Sequence, residues 1–149
     1  MSSKTFTLLI LVSIALLSAS GLWFFHYLPE LRKVSTSNLA YAIEDRMVDF
    51  KEATGSYPSG DGSEILHQLR GNNSAKKRFV DSEDGFKIEG NQFIDEWGNP
   101  FRITIPATDD DSLEVLSPGK NGTFGDDDDV DSSIVRKMLL DRGETPTAK

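Results

Sequence analysis

The sequence predicts an α+β protein in which one long N-terminal helix packs on a small antiparallel β-sheet. Three observations support this fold class. Residues 6–28 form an almost unbroken apolar run, residues 31–53 carry an apolar stripe at helical spacing, and short alternating runs separated by turn residues follow residue 86. A helix stripe followed by a series of short alternating runs is typical of helix and sheet that occupy separate parts of one domain.

The apolar run from Phe6 to Leu28 predicts a transmembrane helix. As an α-helix it is roughly 34 Å long at about 1.5 Å per residue, enough to cross a hydrocarbon core of about 30 Å. Trp23 and Tyr27 lie near its end, where amphipathic rings favour the membrane interface. A cleaved signal peptide is the alternative, with a small-residue site at residues 18–20. We favour the anchor because apolar residues continue past that site, and residues 1–5 then form a cytoplasmic tail.

Residues 31–53 predict a second, amphipathic half of the same helix, packed on the folded domain. Apolar side chains recur there at spacings of four, four and three, so that they share one face. These residues are Leu39, Ile43, Met47 and Phe50. Glu44 and its charged neighbours lie off this stripe. Gly55 suits the position just after a helix, and we expect Pro29 to kink one long helix rather than to separate two.

The remaining elements are predicted to be short. Residues 63–69 form a helix with Ile65, Leu66 and Leu69 inward and His67 exposed, and residues 72–84 form a surface loop. The predicted strands are residues 86–88, 92–94, 101–105 and 113–116, with turns at residues 89–91, 95–100 and 109–111. A final helix covers residues 132–140 with Asp131 as its N-cap, and residues 141–149 form a flexible tail.

Composition and missing motifs exclude several function classes. The net charge is -8 and basic residues form no patch, which argues against nucleic acid as a partner. Cysteine is absent, which excludes disulfides and thiolate metal sites. The sequence contains no P-loop, dinucleotide fingerprint or nucleophile elbow. We therefore predict a protein that is not an enzyme and has no small-molecule substrate.

The segment from Ser117 to Val130 is the candidate functional site. It holds three glycines and then four consecutive aspartates, residues 126–129. Adjacent carboxylates repel one another unless a cation or water separates them, and Ca²⁺ takes about six to eight oxygen ligands. A solvated charge run is the alternative interpretation. An EF-hand is excluded by spacing, because the sixth and twelfth positions from Asp126 are Asp131 and Lys137.

Three motifs follow the amphipathic helix: Gly-Ser-Tyr-Pro at residues 55–58, Asp-Glu-Trp-Gly-Asn-Pro-Phe-Arg at residues 95–102 and the Gly-rich acidic segment at residues 117–130. In this order they resemble the major pseudopilin of type II secretion systems, general secretion pathway protein G. The resemblance covers most of residues 6–130. It implies a pilin-like fold, a structural role in secretion, and a single-pass inner-membrane protein with residues 29–140 in the periplasm. Implied partners are other pseudopilins or secretion-system subunits, including copies of itself.

The resemblance also implies that the acidic segment binds Ca²⁺. Asp128 and Asp129 match the paired acidic ligands of the family, and Asn121 stands where the family usually has Asp. The backbone carbonyls that complete the implied shell belong to Pro118, Thr123 and Asp126. The charge missing at Asn121 predicts a weak site, in the range of about 10⁻⁴ to 10⁻³ M found for extracellular calcium modules.

The N-terminus departs from the family pattern. Thr5 and Ile10 stand where pseudopilins have the Gly of the processing site and the Glu that favours ordered assembly. These two residues motivate a second hypothesis, a non-polymerising, membrane-anchored calcium-binding interaction module of pilin-like fold. A third hypothesis is an exported soluble calcium-binding domain whose signal peptide is cleaved near Gly21.

Overall fold

The computed structural model describes the backbone of residues 3–107 and 112–146, with side chains from residue 27 onward in those ranges. The chain divides into two compact units, residues 1–32 and residues 33–149, and the boundary falls within the first helix. The turn predicted at residues 109–111 lies outside the described residues. The second unit carries the core and the candidate site.

Helix α1 runs over Ser3–Thr54 and contains Pro29, so the proline does not divide it into two helices. It ends as predicted at Gly55, which has a φ of 89° and donates its N–H to the Lys51 carbonyl at 2.8 Å. In the part of the chain that the structure describes, no helix is long and apolar enough to cross a membrane. Most of the predicted anchor, residues 6–28, lies outside the residues whose side chains are described.

One hydrophobic core joins α1 to the rest of the second unit. Ile43, Met47 and Phe50 of the predicted stripe are buried, and Leu39 packs against them in a partly buried position. They share the core with Phe93 and with other apolar side chains of the short elements. The predicted α+β class is confirmed, with a long helix packed on small antiparallel sheets where the sequence predicted one sheet.

Helix α2 covers Gly62–Leu69 and buries the three predicted side chains, Ile65, Leu66 and Leu69. Asp61 caps it in a capping box with Glu64, which satisfies backbone N–H groups at the helix start. His67 is exposed, as predicted.

The loop that follows α2 corrects one prediction. Residues 72–84 are not wholly a surface loop, because Phe79 and Val80 are buried. The Phe79 N–H donates to the Leu69 carbonyl at 2.8 Å, and its ring packs on Phe50 with centroids 5.3 Å apart. Two apolar residues in a polar, aperiodic segment give no pattern that would place them inside.

The strands form two antiparallel pairs rather than one sheet. Strand β1 (Ile88–Glu89) pairs with β2 (Gln92–Phe93), and β3 (Arg102–Thr104) pairs with β4 (Glu114–Leu116), with Ile103 opposite Val115. Between the pairs, Ile94 and Pro100 make only an isolated bridge. The bonds that flank this bridge run from the Phe101 N–H to the Phe93 carbonyl at 3.0 Å and from the Asp95 N–H to the Asn99 carbonyl at 2.8 Å, so the bridge requires no N–H from Pro100.

Helix α3 covers Ser133–Asp141 and begins one residue later than predicted. The N-cap is Ser132 rather than Asp131, so that prediction was wrong. Ser132 makes no cap bond, because its hydroxyl donates instead to Glu44 Oε1 at 3.1 Å. Asp131 Oδ1 still accepts from the Ser133 N–H at 2.9 Å.

Glu44 is a buried charged residue of α1. Its side chain lies off the apolar stripe, yet the residue is only 3 % exposed. The Arg136 guanidinium of α3 approaches Glu44 Oε2 at 2.7 Å. Burial raises the pKa of Glu44, while hydrogen bonds from Arg136 and Ser132 act in the opposite direction. This ion pair fixes α3 to α1.

Candidate metal-binding loop

The acidic loop, residues 117–130, is closed at its base by an antiparallel bridge. The Ser117 N–H donates to the Val130 carbonyl at 2.9 Å, and the Val130 N–H donates to the Ser117 carbonyl at 3.0 Å. Both residues are buried. The loop therefore starts and ends on the domain at one point, directly after β4, and is not a free acidic tail.

Asn121 lies at the centre of the hydrogen bonds inside the loop. Its N–H donates to Asp128 Oδ2 at 2.9 Å, and its side-chain amide donates to Asp126 Oδ2 at 2.8 Å. Its Oδ1 accepts from the Thr123 N–H at 2.7 Å. The structure thus brings together four of the six predicted site residues.

The two carboxylate oxygens of Asp129 differ in their hydrogen bonding. Its Oδ2 accepts from the Gly125 N–H at 2.8 Å. Its Oδ1 is buried and has no hydrogen-bond partner among the described residues. A buried polar atom without a partner loses its hydration without compensation, so this oxygen has an unmet demand for a donor or a cation. The sixth predicted residue, Pro118, is buried at the base of the loop.

Asp126 does more than was predicted for it. The resemblance implied a backbone carbonyl ligand at Asp126, and its side chain in addition accepts from Asn121 and from the Asp128 N–H at 2.9 Å. The Asn121 amide and the Asp128 N–H hold the pKa of Asp126 below its usual value. Its carboxylate therefore shapes the loop before any ion is considered.

The turn at residues 95–99, the Asp95 turn, lies against the base of the acidic loop. Asp95 is 1 % exposed, and its Oδ1 accepts from the Trp97 and Asn99 N–H groups, both at 2.8 Å. Its Oδ2 accepts from the Ser117 hydroxyl, and the Asn99 side chain donates to the Gly119 carbonyl at 2.7 Å. The residue pattern predicts a turn here but does not reveal its link to Ser117. The available signal was an Asp that can accept from the backbone N–H groups that follow it.

The oxygen donors of the loop fit a hard cation such as Ca²⁺. The implied set combines two carboxylates with an amide oxygen and backbone carbonyls, which are the ligand types that Ca²⁺ takes, and Asp129 Oδ1 is available. Within the described residues, no group of three or more His, Cys, Asp or Glu side chains is placed to hold a metal ion. The implied ligand set uses only two acidic side chains, those of Asp128 and Asp129, and its other ligands are an amide oxygen and backbone carbonyls.

Comparison with known proteins decides the family. The family model for type II secretion system protein G matches residues 27–137, which include the Asp95 turn and the whole acidic loop. The chain belongs to the type II secretion system protein G family. This confirms the resemblance drawn from the three sequence motifs. The protein G family consists of structural pseudopilins rather than enzymes. No curated protein and no solved structure matches the chain.

Proposed function

We propose that this protein is a membrane-anchored structural subunit of a type II secretion pseudopilus whose acidic loop is stabilised by Ca²⁺. Membership of the protein G family supports the secretion role. The observation that carries the calcium proposal is Asp129 Oδ1, a buried carboxylate oxygen with no partner among the described residues. The apolar run from Phe6 to Leu28 supports a single-pass inner-membrane anchor, with the following domain in the periplasm.

In this proposal the loop residues hold the ion, and the ion supplies positive charge among four adjacent aspartates. Asp128 and Asp129 contribute carboxylate oxygens, and Asn121 contributes its amide oxygen. The backbone carbonyls of Pro118, Thr123 and Asp126 complete the shell. An ion that binds only the folded loop stabilises the folded state by mass action. The expected partners are other pseudopilins or secretion-system subunits.

We predict that Ca²⁺ raises the melting temperature of the full-length protein in detergent, compared with EDTA. Binding to the folded state alone contributes about 2.7 kcal/mol at 100 times the Kd, or roughly 10 °C in a domain of this size. Mg²⁺ has a smaller effect, because it requires near-octahedral geometry and gives up water reluctantly. Differential scanning calorimetry at matched ionic strength measures all three conditions.

The variants Asp128→Ala and Asp129→Ala are expected to abolish the rise caused by Ca²⁺. Asp127→Ala is the matched control, because it removes the same charge from the same tract at an exposed residue. It should keep most of the rise. A calcium response that survives in both ligand variants would rule out the assignment of these residues.

A second candidate function is a non-polymerising, membrane-anchored calcium-binding interaction module. Thr5 and Ile10 favour it, because a prepilin peptidase and ordered assembly in this family rely on Gly and Glu at those places. Intact-mass measurement of the protein extracted from membranes separates the hypotheses. Loss of residues 1–5 supports a processed pseudopilin, and a full-length chain supports the interaction module. A mature start near Gly21 supports an exported soluble domain.

A further inference from the structure

We propose that Asp95 is a positioning residue of the acidic loop. Acting through Ser117, it keeps the loop docked on the domain without a cation and sets the loop geometry that a cation meets. The cation part of this inference rests on the proposed function. The docking part rests on the hydrogen bonds and the burial of these residues.

The link from Asp95 to the loop has a defined direction. Ser117 is fully buried, and its hydroxyl oxygen accepts from the Gly119 N–H at 3.0 Å while its hydrogen is donated to Asp95 Oδ2. Two hydrogen bonds in series thus lead from the Gly119 N–H through the Ser117 hydroxyl to the Asp95 carboxylate, which is the final acceptor of this hydrogen-bond chain. Such a chain strengthens each of its bonds, because each donor is polarised by the next acceptor.

Gly119 is held on both of its backbone groups by this arrangement. Its N–H is bound by Ser117, and its carbonyl is bound by the Asn99 side chain, which the Asp95 turn orients. A side chain added at Gly119 would overlap the backbone carbonyl of Asp128. Fixing Gly119 therefore fixes Asp128, a predicted ligand that lies against it.

A second contact, farther along the loop, also holds the loop on the domain. The Arg102 guanidinium of β3 lies 4.3 Å from the centroid of the Phe124 ring. This cation–π contact holds the outer part of the loop toward the strand that follows the Asp95 turn. The loop is thus attached at its base by Asp95 and near its tip by Arg102.

The turn itself is anchored to α1. The Glu96 N–H donates to Thr36 Oγ1 at 3.3 Å, and the Ser35 hydroxyl donates to Glu96 Oε1 at 2.9 Å. Thr36 is fully buried, so the turn meets the helix in the interior. Through Glu96, the Asp95 turn therefore connects the acidic loop to α1.

The decisive experiment compares Ser117→Ala with Ser37→Ala in the full-length protein. Both serines are fully buried, and each accepts a backbone N–H, but Ser37 accepts from Val135 in α3. Hydrogen exchange in EDTA, followed by mass spectrometry of peptides from residues 117–125, reports on docking. We expect about tenfold faster exchange of these peptides in Ser117→Ala than in Ser37→Ala.

Isothermal titration with CaCl₂ provides the second readout. We expect the Kd for Ca²⁺ to rise about tenfold in Ser117→Ala and to stay close to the wild-type value in Ser37→Ala. Asp95→Asn is the second variant, because its amide can keep the bonds from Trp97 and Asn99 while it presents a donor to Ser117. It should reproduce the exchange of Ser117→Ala, and the double variant should add little.

Two results separate this inference from the calcium proposal. Equal loop exchange in Ser117→Ala and Ser37→Ala, together with an unchanged Kd, would overturn the positioning role. If the wild-type protein binds no Ca²⁺, the proposed calcium function fails, along with the cation part of the inference. The exchange experiment in EDTA still decides the docking role of Asp95.

Discussion

Substituting Gly119 with Ala should displace the acidic loop and lower the stability of the domain more than any other single change in the loop. Gly119 has a φ of 63°, and an added Cβ would overlap the Asp128 carbonyl oxygen and lie 2.7 Å from its carbonyl carbon. The clash is with backbone, so no side chain can rotate away. We expect about 1–2 kcal/mol from the left-handed conformation and about 1–3 kcal/mol from overlap. Urea unfolding in EDTA measures the sum.

Gly125→Ala is the matched control for this prediction. Gly125 also has a positive φ, 101°, but no described atom lies within 4 Å of its added Cβ. Gly125→Ala should lose only the part of the stability that comes from the backbone conformation. It should keep the stabilisation by Ca²⁺, whereas Gly119→Ala should lose that stabilisation. Equal losses in the two variants would contradict the close approach of Gly119 to Asp128.

Replacing Arg136 with Ala should destabilise the domain by about 3–5 kcal/mol at neutral pH, because it leaves a buried carboxylate without its charged partner. Glu44 is 3 % exposed, and among the described residues its only charged partner is Arg136, at 2.7 Å. Ser132 would remain as a neutral donor at 3.1 Å. Chemical unfolding of the full-length protein, with the wild type as reference, measures the loss.

The pH dependence of this loss distinguishes charge from packing. Burial already raises the pKa of Glu44 above its ordinary value of 4.5, and removing Arg136 takes away a contribution that lowers it. A raised pKa in the folded state means that the folded protein binds the proton more tightly, so stability falls as pH rises through that pKa. The loss in Arg136→Ala should therefore be largest near pH 7 and shrink as pH falls toward 4.5.

Glu44→Gln combined with Arg136→Ala provides the control, since it has no buried charge to titrate. Its stability relative to Glu44→Gln alone should vary little over the same pH range. A loss in Arg136→Ala that is constant with pH would mean that Arg136 acts through packing, including its contact 5.5 Å from the Tyr41 ring centroid, rather than through Glu44.

The elements that sequence analysis predicted correctly are those whose signal is local. The stripe ending at Phe50 and the glycine at residue 55 define the end of α1, and the spacing of Ile65, Leu66 and Leu69 defines α2. Periodicity and turn residues act within a few positions, so the sequence alone reveals them. The burial of Glu44 and Phe79 was not predicted, because it depends on segments far along the chain, α3 for Glu44 and Phe50 for Phe79.

In the candidate site, too, local contacts were predicted and contacts between distant segments were not. Four predicted site residues are joined by hydrogen bonds around Asn121, as their closeness in sequence allows. The support beneath them was not predicted, because Asp95 and Ser117 are 22 residues apart and meet only in the folded chain. The family match covers both segments.

The two attachments of the loop region to α1 have a mechanical consequence. Thr36 accepts a hydrogen bond from the Asp95 turn. Glu44 forms an ion pair with α3, the helix that follows the other end of the loop. These points are eight residues apart, about 12 Å along the helix axis at about 1.5 Å per residue. A pulling force along α1 therefore loads these two connections in shear, together with the hydrophobic core and the Ser37 contact of α3, and the closed base of the loop links the two connected segments.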